Sequence, residues 1–174
     1  MAKQWDGLLF RRVSLPDYMI GRMYLHPMPG RFEKITQFVN ELEQKNIRKI
    51  ICLTGLEEIS RISPDYHALI KKHHDNFHIE CFPIPDFGVP DDPEAFLRLA
   101  RLSSDQVKTG EAVLIHCGMG IGRTGLFGVL LLMVSGLTRK DAEFAIQSAG
   151  AGVQTNSQKE FISWAESRMD DLKK

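Results

Sequence analysis

Between Ala112 and Ser135 the chain passes from a short apolar run, Ala112 to Ile115, through a glycine-rich loop into a second apolar stretch, Gly125 to Ser135. The loop reads His116-Cys117-Gly118-Met119-Gly120-Ile121-Gly122-Arg123-Thr124-Gly125. The first run has the length and branching of a strand. The second is apolar at almost every position, so it reads as a helix buried nearly all round. A helix with no polar face needs protein packed on every side of it, which demands a layered domain with one well-developed core.

The rest of the chain supplies those layers. Met19 to His26 reads as a strand ended by the turn His26-Pro27-Met28-Pro29-Gly30. Phe32, Ile35, Phe38, Val39 and Leu42 recur at helical spacing and predict an amphipathic helix from Arg31 to Lys45. Lys49 to Leu53 is a buried strand, and Ser63-Pro64 supplies an N-cap and first-turn proline for a helix to about His73. Phe77 to Ile84 reads as a strand, and Asp92-Pro93 opens a helix closed by Gly110. Beyond the apolar helix, Gly136 is a stop and Thr138 a cap. Gly150-Ala151-Gly152 then precedes a last helix carrying Phe161, Ile162 and Trp164. Strands alternating with helices in this way predict an α/β fold in one domain, residues 1–174, with a mostly parallel central sheet and helices on both faces. In such folds ligands sit at the carboxyl ends of strands, where the Cys117 loop falls.

Composition narrows the function classes. The 22 basic side chains balance 22 acidic ones, which argues against a dedicated nucleic-acid or anionic-membrane binder. Cys52, Cys81 and Cys117 make an odd number with no ligand-like spacing, so neither a disulfide framework nor a metal site is expected, and no cofactor. The adjacent His73 and His74 point about 100° apart on a helix and read as a solvated helix end. No signal-peptide-like or membrane-spanning apolar run is present, and a cytoplasmic setting is expected.

A glycine-rich loop between a strand and a helix turns several unpaired backbone N–H groups into one concavity, which makes an anion site. Gly118, Gly120 and Gly122 let the backbone curl around a tetrahedral oxyanion, and Arg123 can clamp two of its oxygens. Met119 and Ile121 contribute amides to the same cradle. Cys117 stands at its base. A free thiol of pKa about 8.5 is only about 3% thiolate at pH 7, and helix N-termini and cations lower such values, so one environment binds phosphate and makes a nucleophile. His before Cys, Gly at +3, Arg at +6 and Thr at +7 arise together by chance about once in 10⁵ cysteines. A Walker-type nucleotide loop would need Lys-Ser/Thr where this chain has Arg123-Thr124.

His116-Cys117-x5-Arg123-Thr124-Gly125 resembles the active-site loop of the cysteine-dependent protein tyrosine and dual-specificity phosphatases. Ile84-Pro85-Asp86-Phe87-Gly88-Val89-Pro90 resembles the family's general-acid loop, and Gly152 to Phe161 its glutamine loop. From about Met19 to Trp164 the chain is similar to small phosphatases of the cyclin-dependent-kinase-associated type.

The resemblance implies a phosphocysteine mechanism on phosphoprotein substrates. Cys117 attacks phosphorus while Arg123 and the loop amides hold the equatorial oxygens. Thr124 donates to the sulfur and His116 orients the loop. Asp86, 31 residues before Cys117, is the candidate general acid, with Asp91 and Asp92 as rivals, Asp92 reading more naturally as a helix cap. Gln154 positions the hydrolytic water with Gln158 assisting. The alternative is that Thr155 or Asn156 caps the last helix and the glutamines are surface residues. Glu57 or Glu58 either reaches back to Arg123 or is a solvated helix-start carboxylate. Cys52 is either a small core residue or, by the resemblance, a redox partner for Cys117. The uncharged variable positions of the loop favour a phosphoprotein, tyrosine or dual-specificity, over an inositol phosphate, phosphoinositide or RNA 5′-phosphate. A phosphate-recognition module is the non-enzymatic reading.

Overall fold

The computed structural model describes residues 9–171. Five strands lie in the order β1-β2-β5-β3-β4. They are β1 (Arg11–Arg12), β2 (Arg22–His26), β3 (Lys49–Cys52), β4 (His78–Cys81) and β5 (Ala112–His116). β2, β5, β3 and β4 are parallel, and only β1 runs antiparallel, against β2. β5 is central and buried along its whole length, as a strand covered on both faces must be.

Among the described residues, seven helices cover the sheet: α1 (Ile35–Gln44), α2 (Leu56–Ile62), α3 (Pro64–Ile70), α4 (Pro93–Lys108), α5 (Gly122–Ser135), α6 (Arg139–Ser148) and α7 (Asn156–Asp171). Strand alternation divides the core in two. Ile50, Cys52 and Leu114 face α1, α2 and α3 with Phe38, Ile59 and Tyr66. Ile51, Leu53, Val113, Ile115 and Cys117 face α4 to α7 with Phe96, Phe127, Leu130 and Ile162. Each fully buried leucine of α5 contributes about 1.5–3 kcal/mol relative to an exposed one. Among the described residues, no helix is long and apolar enough to cross a membrane.

The expected caps are made. Ser63 Oγ accepts from Tyr66 N–H, Asp92 Oδ1 from Ala95 N–H and Thr138 Oγ1 from Asp141 N–H. Several boundaries differ from the sequence reading for local reasons. α1 starts at Ile35 rather than Arg31, because Arg31 and Glu33 complete the preceding turn: Arg31 N–H bonds to Met28 O and Glu33 Oε1 accepts from Gly30 N–H. α3 stops at Ile70 rather than His73, and His74 Nε2 donates to Leu69 O, 2.8 Å away. β4 ends at Cys81 because Pro83 and Pro85 bring no ladder donors, yet Ile84 N–H still reaches Leu53 O at 3.2 Å. That last bond steers the Asp86 segment along the end of β3 towards the Cys117 loop. α5 begins at Gly122, three residues before the apolar run, since a first helical turn needs no intrahelical partner for its N–H groups.

Candidate active site

The loop leaves β5 at His116 and enters α5 at Gly122, with Ile121 in the N-cap position. Cys117 lies at its base, 2% exposed. Gly120 adopts φ +70°, and a Cβ there would stand 2.5 Å from His26 O, so glycine is required twice over. Among the described residues, the backbone N–H groups of Gly118, Met119, Gly120 and Ile121 donate to no protein acceptor. The loop carbonyls, by contrast, are tied outward. Gly118 O accepts from Met28 N–H at 3.2 Å and from Arg31 Nη1 at 3.1 Å. Gly120 O accepts from Arg11 Nη2, whose Nη1 also bonds to Gly150 O at 2.7 Å. With carbonyls held outside and amides free inside, the loop is a preformed anion cradle.

Arg123, in the first turn of α5, is only 3% exposed and fully oriented. Its guanidinium makes a bidentate pair with Glu58, Nη1 to Oε2 at 2.8 Å and Nη2 to Oε1 at 2.9 Å, and Nη1 also donates to Ile84 O at 3.1 Å. Burial pulls its pKa down, but the Glu58 hydrogen bonds and the negative charges of Cys117, Glu58 and Asp86 outweigh this and raise it. The same bonds hold the Glu58 carboxyl below its ordinary value, against a smaller opposing effect of burial. Of the two acidic candidates, Glu58 is the one that reaches back. It is carried by the first turn of α2, a short helix for which the sequence reading gave no bounds.

Asp86 lies in the exposed loop after β4, with Oδ1 3.1 Å from Arg123 Nη2 and accepting from Phe87 N–H. Asp92 caps α4, which removes it from the site. Two bonds join the Asp86 loop to the start of α7: Thr155 Oγ1 donates to Phe87 O at 3.2 Å, and Gln158 Nε2 to Gly88 O at 3.1 Å. Gln158 is wholly buried, and its Oε1 accepts from Gln154 N–H at 2.8 Å. Gln154 itself hangs over the loop: a Cβ on Gly122 would lie 2.3 Å from its Oε1. The glutamine segment is seated by a glycine contact, since a Cβ on Gly125 would meet Gly152 N at 2.5 Å.

His116 is buried behind Cys117. Nδ1 lies 3.3 Å from Cys117 O, which can only accept, so Nδ1 carries the proton and Nε2 accepts from Tyr66 Oη at 2.7 Å. Burial pushes the imidazole pKa down to about 3, which keeps it neutral and orienting. Thr124 Oγ1 is buried without a hydrogen-bond partner, so the expected donation to the sulfur is not made in this geometry. Cys52 lies in the opposite half of the core from Cys117, and its thiol meets Cys81 and Thr54 O. Arg22 starts β2, at the far end of the sheet from the loop.

Three side chains were missed at the sequence level. Arg11 and Tyr66 sit outside every motif, one in a two-residue strand and one on an apolar helix face. Phe32 is the third: with Met119 it flanks a groove of about 880 Å³ between the loop and α1, also lined by Gln37 and Asn40.

Residues 28–169 match the family described as PTP-SAK, Swiss Army Knife protein, DSP-PTPase phosphatase domain. Tyrosine-protein phosphatase corkscrew of Drosophila melanogaster is 30% identical over 183 aligned positions, covering 75% of this chain and 22% of its own length. This chain thus spans less than a quarter of that relative. Human receptor-type tyrosine-protein phosphatase C is 32% identical over 47% of this chain and 6% of its own length. Among solved structures, Tk-PTP in its active form superposes with TM-score 0.67 and 26% identity, covering 95% of this chain and 99% of that one. Kinase-associated phosphatase with its catalytic cysteine replaced by serine gives TM-score 0.75 at 20% identity, covering 97% and 98%. The parallel sheet, the Cys117 loop and these matches define a cysteine-phosphatase domain. The chain belongs to the DSP-PTPase phosphatase domain family.

Proposed function

We infer that residues 1–174 act as one catalytic domain that hydrolyses phosphomonoesters on proteins, phosphotyrosine and also phosphoserine and phosphothreonine, in a cytoplasmic setting. One observation carries this reading: Cys117 and a fully oriented Arg123 share a cradle of free amides, with the Asp86 carboxylate 3.1 Å from that arginine. Cys117 thiolate attacks phosphorus and forms the S–P bond as the ester P–O bond breaks. The leaving oxygen takes a proton from Asp86. Water positioned by Gln154 then attacks phosphorus, gives a proton back to Asp86, and the S–P bond breaks to release phosphate. Arg123 and the amides of residues 118–122 stabilise the equatorial oxygens in both steps. Thr124, whose Oγ1 has no other hydrogen-bond partner, is the hydroxyl assigned to donate to the sulfur as it leaves.

The rim supports a peptide substrate. Phe32, Phe87 and Met119 are 61%, 57% and 49% exposed, which surrounds the cradle with apolar surface rather than lysines. The groove beside Met119 gives residues flanking the phosphorylated side chain a place to lie. A phosphoinositide reading draws on Arg31, whose cation stands at the lip of the loop, and on a neighbour of the same fold, PTPMT1, solved in complex with PI(5)P.

Initial rates with EDTA present, on phosphotyrosine and phosphothreonine peptides and on phosphoinositide, test both. Wild type is expected to prefer the peptides, and Cys117→Ser to be inactive on all. A phosphoinositide rate above the peptide rates would transfer the assignment to lipid. Turnover by Cys117→Ser equal to wild type would end the mechanism.

A further inference from the structure

Cys52 and Cys81 end adjacent parallel strands and are register partners. Residues paired in this way project to the same face, with backbones about 4.7–4.9 Å apart, inside the Cα separation of about 4.4–6.8 Å that a disulfide spans. Their exposure differs sharply. Cys52 is sealed in the core, whereas Cys81 is exposed on the edge strand β4.

We propose that Cys52 and Cys81 form a redox-modification site separate from the nucleophile, in which peroxide oxidises Cys81 and Cys52 closes a Cys52–Cys81 disulfide. Cys81 thiolate attacks one peroxide oxygen, the O–O bond breaks, hydroxide leaves and Cys81 becomes a sulfenic acid. The Cys52 sulfur then displaces that hydroxyl, forming the S–S bond, and the Cys52 proton leaves with it as water. Two thiols are oxidised and one peroxide is reduced to two waters. The hydrogen bond from Cys52 brings the Cys81 pKa down to about 7, against burial and the Glu80 charge, so a large thiolate fraction exists at neutral pH. Cys52 is pushed the other way, first by that hydrogen bond and then by burial, so Cys81 is the one of the pair that meets peroxide as thiolate.

The pair is also placed to be felt at the active site. Cys52 packs in the same half of the core as Tyr66, Tyr66 Oη donates to His116 Nε2, and His116 Nδ1 holds the carbonyl of Cys117. Closing the disulfide would remove the Cys52 S–H that donates to Thr54 O and move its sulfur towards Cys81 within that packed cluster. The proposal does not depend on the substrate or on the phosphatase mechanism.

Peptide mass mapping of the full chain, alkylated after peroxide treatment, is the test, run on wild type, Cys117→Ser and Cys81→Ser. A Cys52–Cys81 linked peptide is expected in wild type and equally in Cys117→Ser, lost on reduction with dithiothreitol and absent in Cys81→Ser. A Cys52–Cys117 linkage, or Cys81 recovered fully alkylated while Cys117 is oxidised, would overturn the proposal. So would the absence of any linked peptide.

Discussion

Gln158 Nε2 donates to the carbonyl of Gly88 at 3.1 Å, so a buried residue of α7 holds the loop that carries Asp86. Its other end holds the backbone of Gln154 at 2.8 Å. One carboxamide thus ties together the Asp86 loop and the Gln154 segment. Replacing it with methionine keeps the volume and removes both bonds. Gln158→Met is expected to lower kcat by about 10-fold or more, since misplacement by about 1 Å costs up to 10²-fold. Steady-state rates together with burst amplitudes check this, and an unchanged kcat would show that the loop holds its place without the tie.

Arg123 is held by Glu58 through a planar fork that lysine cannot reproduce. Arg123→Lys is expected to reduce kcat/KM by about 10²–10³-fold, the cost of losing an oriented oxyanion donor. Glu58→Ala, which leaves a buried cation without its partner, should lower both activity and melting temperature. Kinetics and thermal unfolding of the two variants measure the two effects.

For Asp86→Asn, the expected rate loss is larger on alkyl than on aryl phosphates, because a phenolate leaves with less protonation. A series of phosphate esters with graded leaving-group pKa reads this directly. Equal losses across the series would assign the proton transfer to another group.

His116 has a folded pKa near 3 against an ordinary 6.5. Between those values the unfolded chain binds a proton that the folded chain does not, so stability falls as pH falls through the window. From pH 6.5 to 5 the loss approaches about 2 kcal/mol, at about 1.4 kcal/mol per unit. Glu33, Glu58 and Glu80, held below their ordinary 4.5, add losses in the same direction only at lower pH. Urea unfolding at pH 6.5, 5.75 and 5 should show the slope in wild type and a flatter one in His116→Gln.

At Gly125 a methyl group would meet backbone atoms of Gly152 rather than a flexible side chain. Gly125→Ala is expected to destabilise by about 1–3 kcal/mol, the usual cost of overpacking. A denaturation midpoint equal to wild type would mean that the glutamine segment shifts freely.

What was legible in the sequence is what local pattern encodes. The β5 to α5 unit, the caps at Ser63, Asp92 and Thr138, and the Cys117 loop all announce themselves within a few residues. The partners of that loop do not. Glu58 reaches Arg123 across 65 positions and Arg11 reaches Gly120 across 109, and neither separation leaves a periodic trace. The extent of α2 went unread because seven residues make too short an apolar pattern, and β1 because two residues make none. Gln158 was visible as a residue but not as a tie, since its role depends on how the β4 to α4 loop lies against α7.

The carboxylate of Asp86 on Arg123 bears on how the site handles its own product. An arriving phosphate dianion does not meet a bare cation; it exchanges with an anion the protein already supplies. The attraction it gains is the difference between the two, so binding is weaker than a lone guanidinium would give. In the proposed reaction Asp86 ends the second step protonated; once that proton passes to solvent, the returning carboxylate competes with inorganic phosphate for Arg123, which favours turnover over retention.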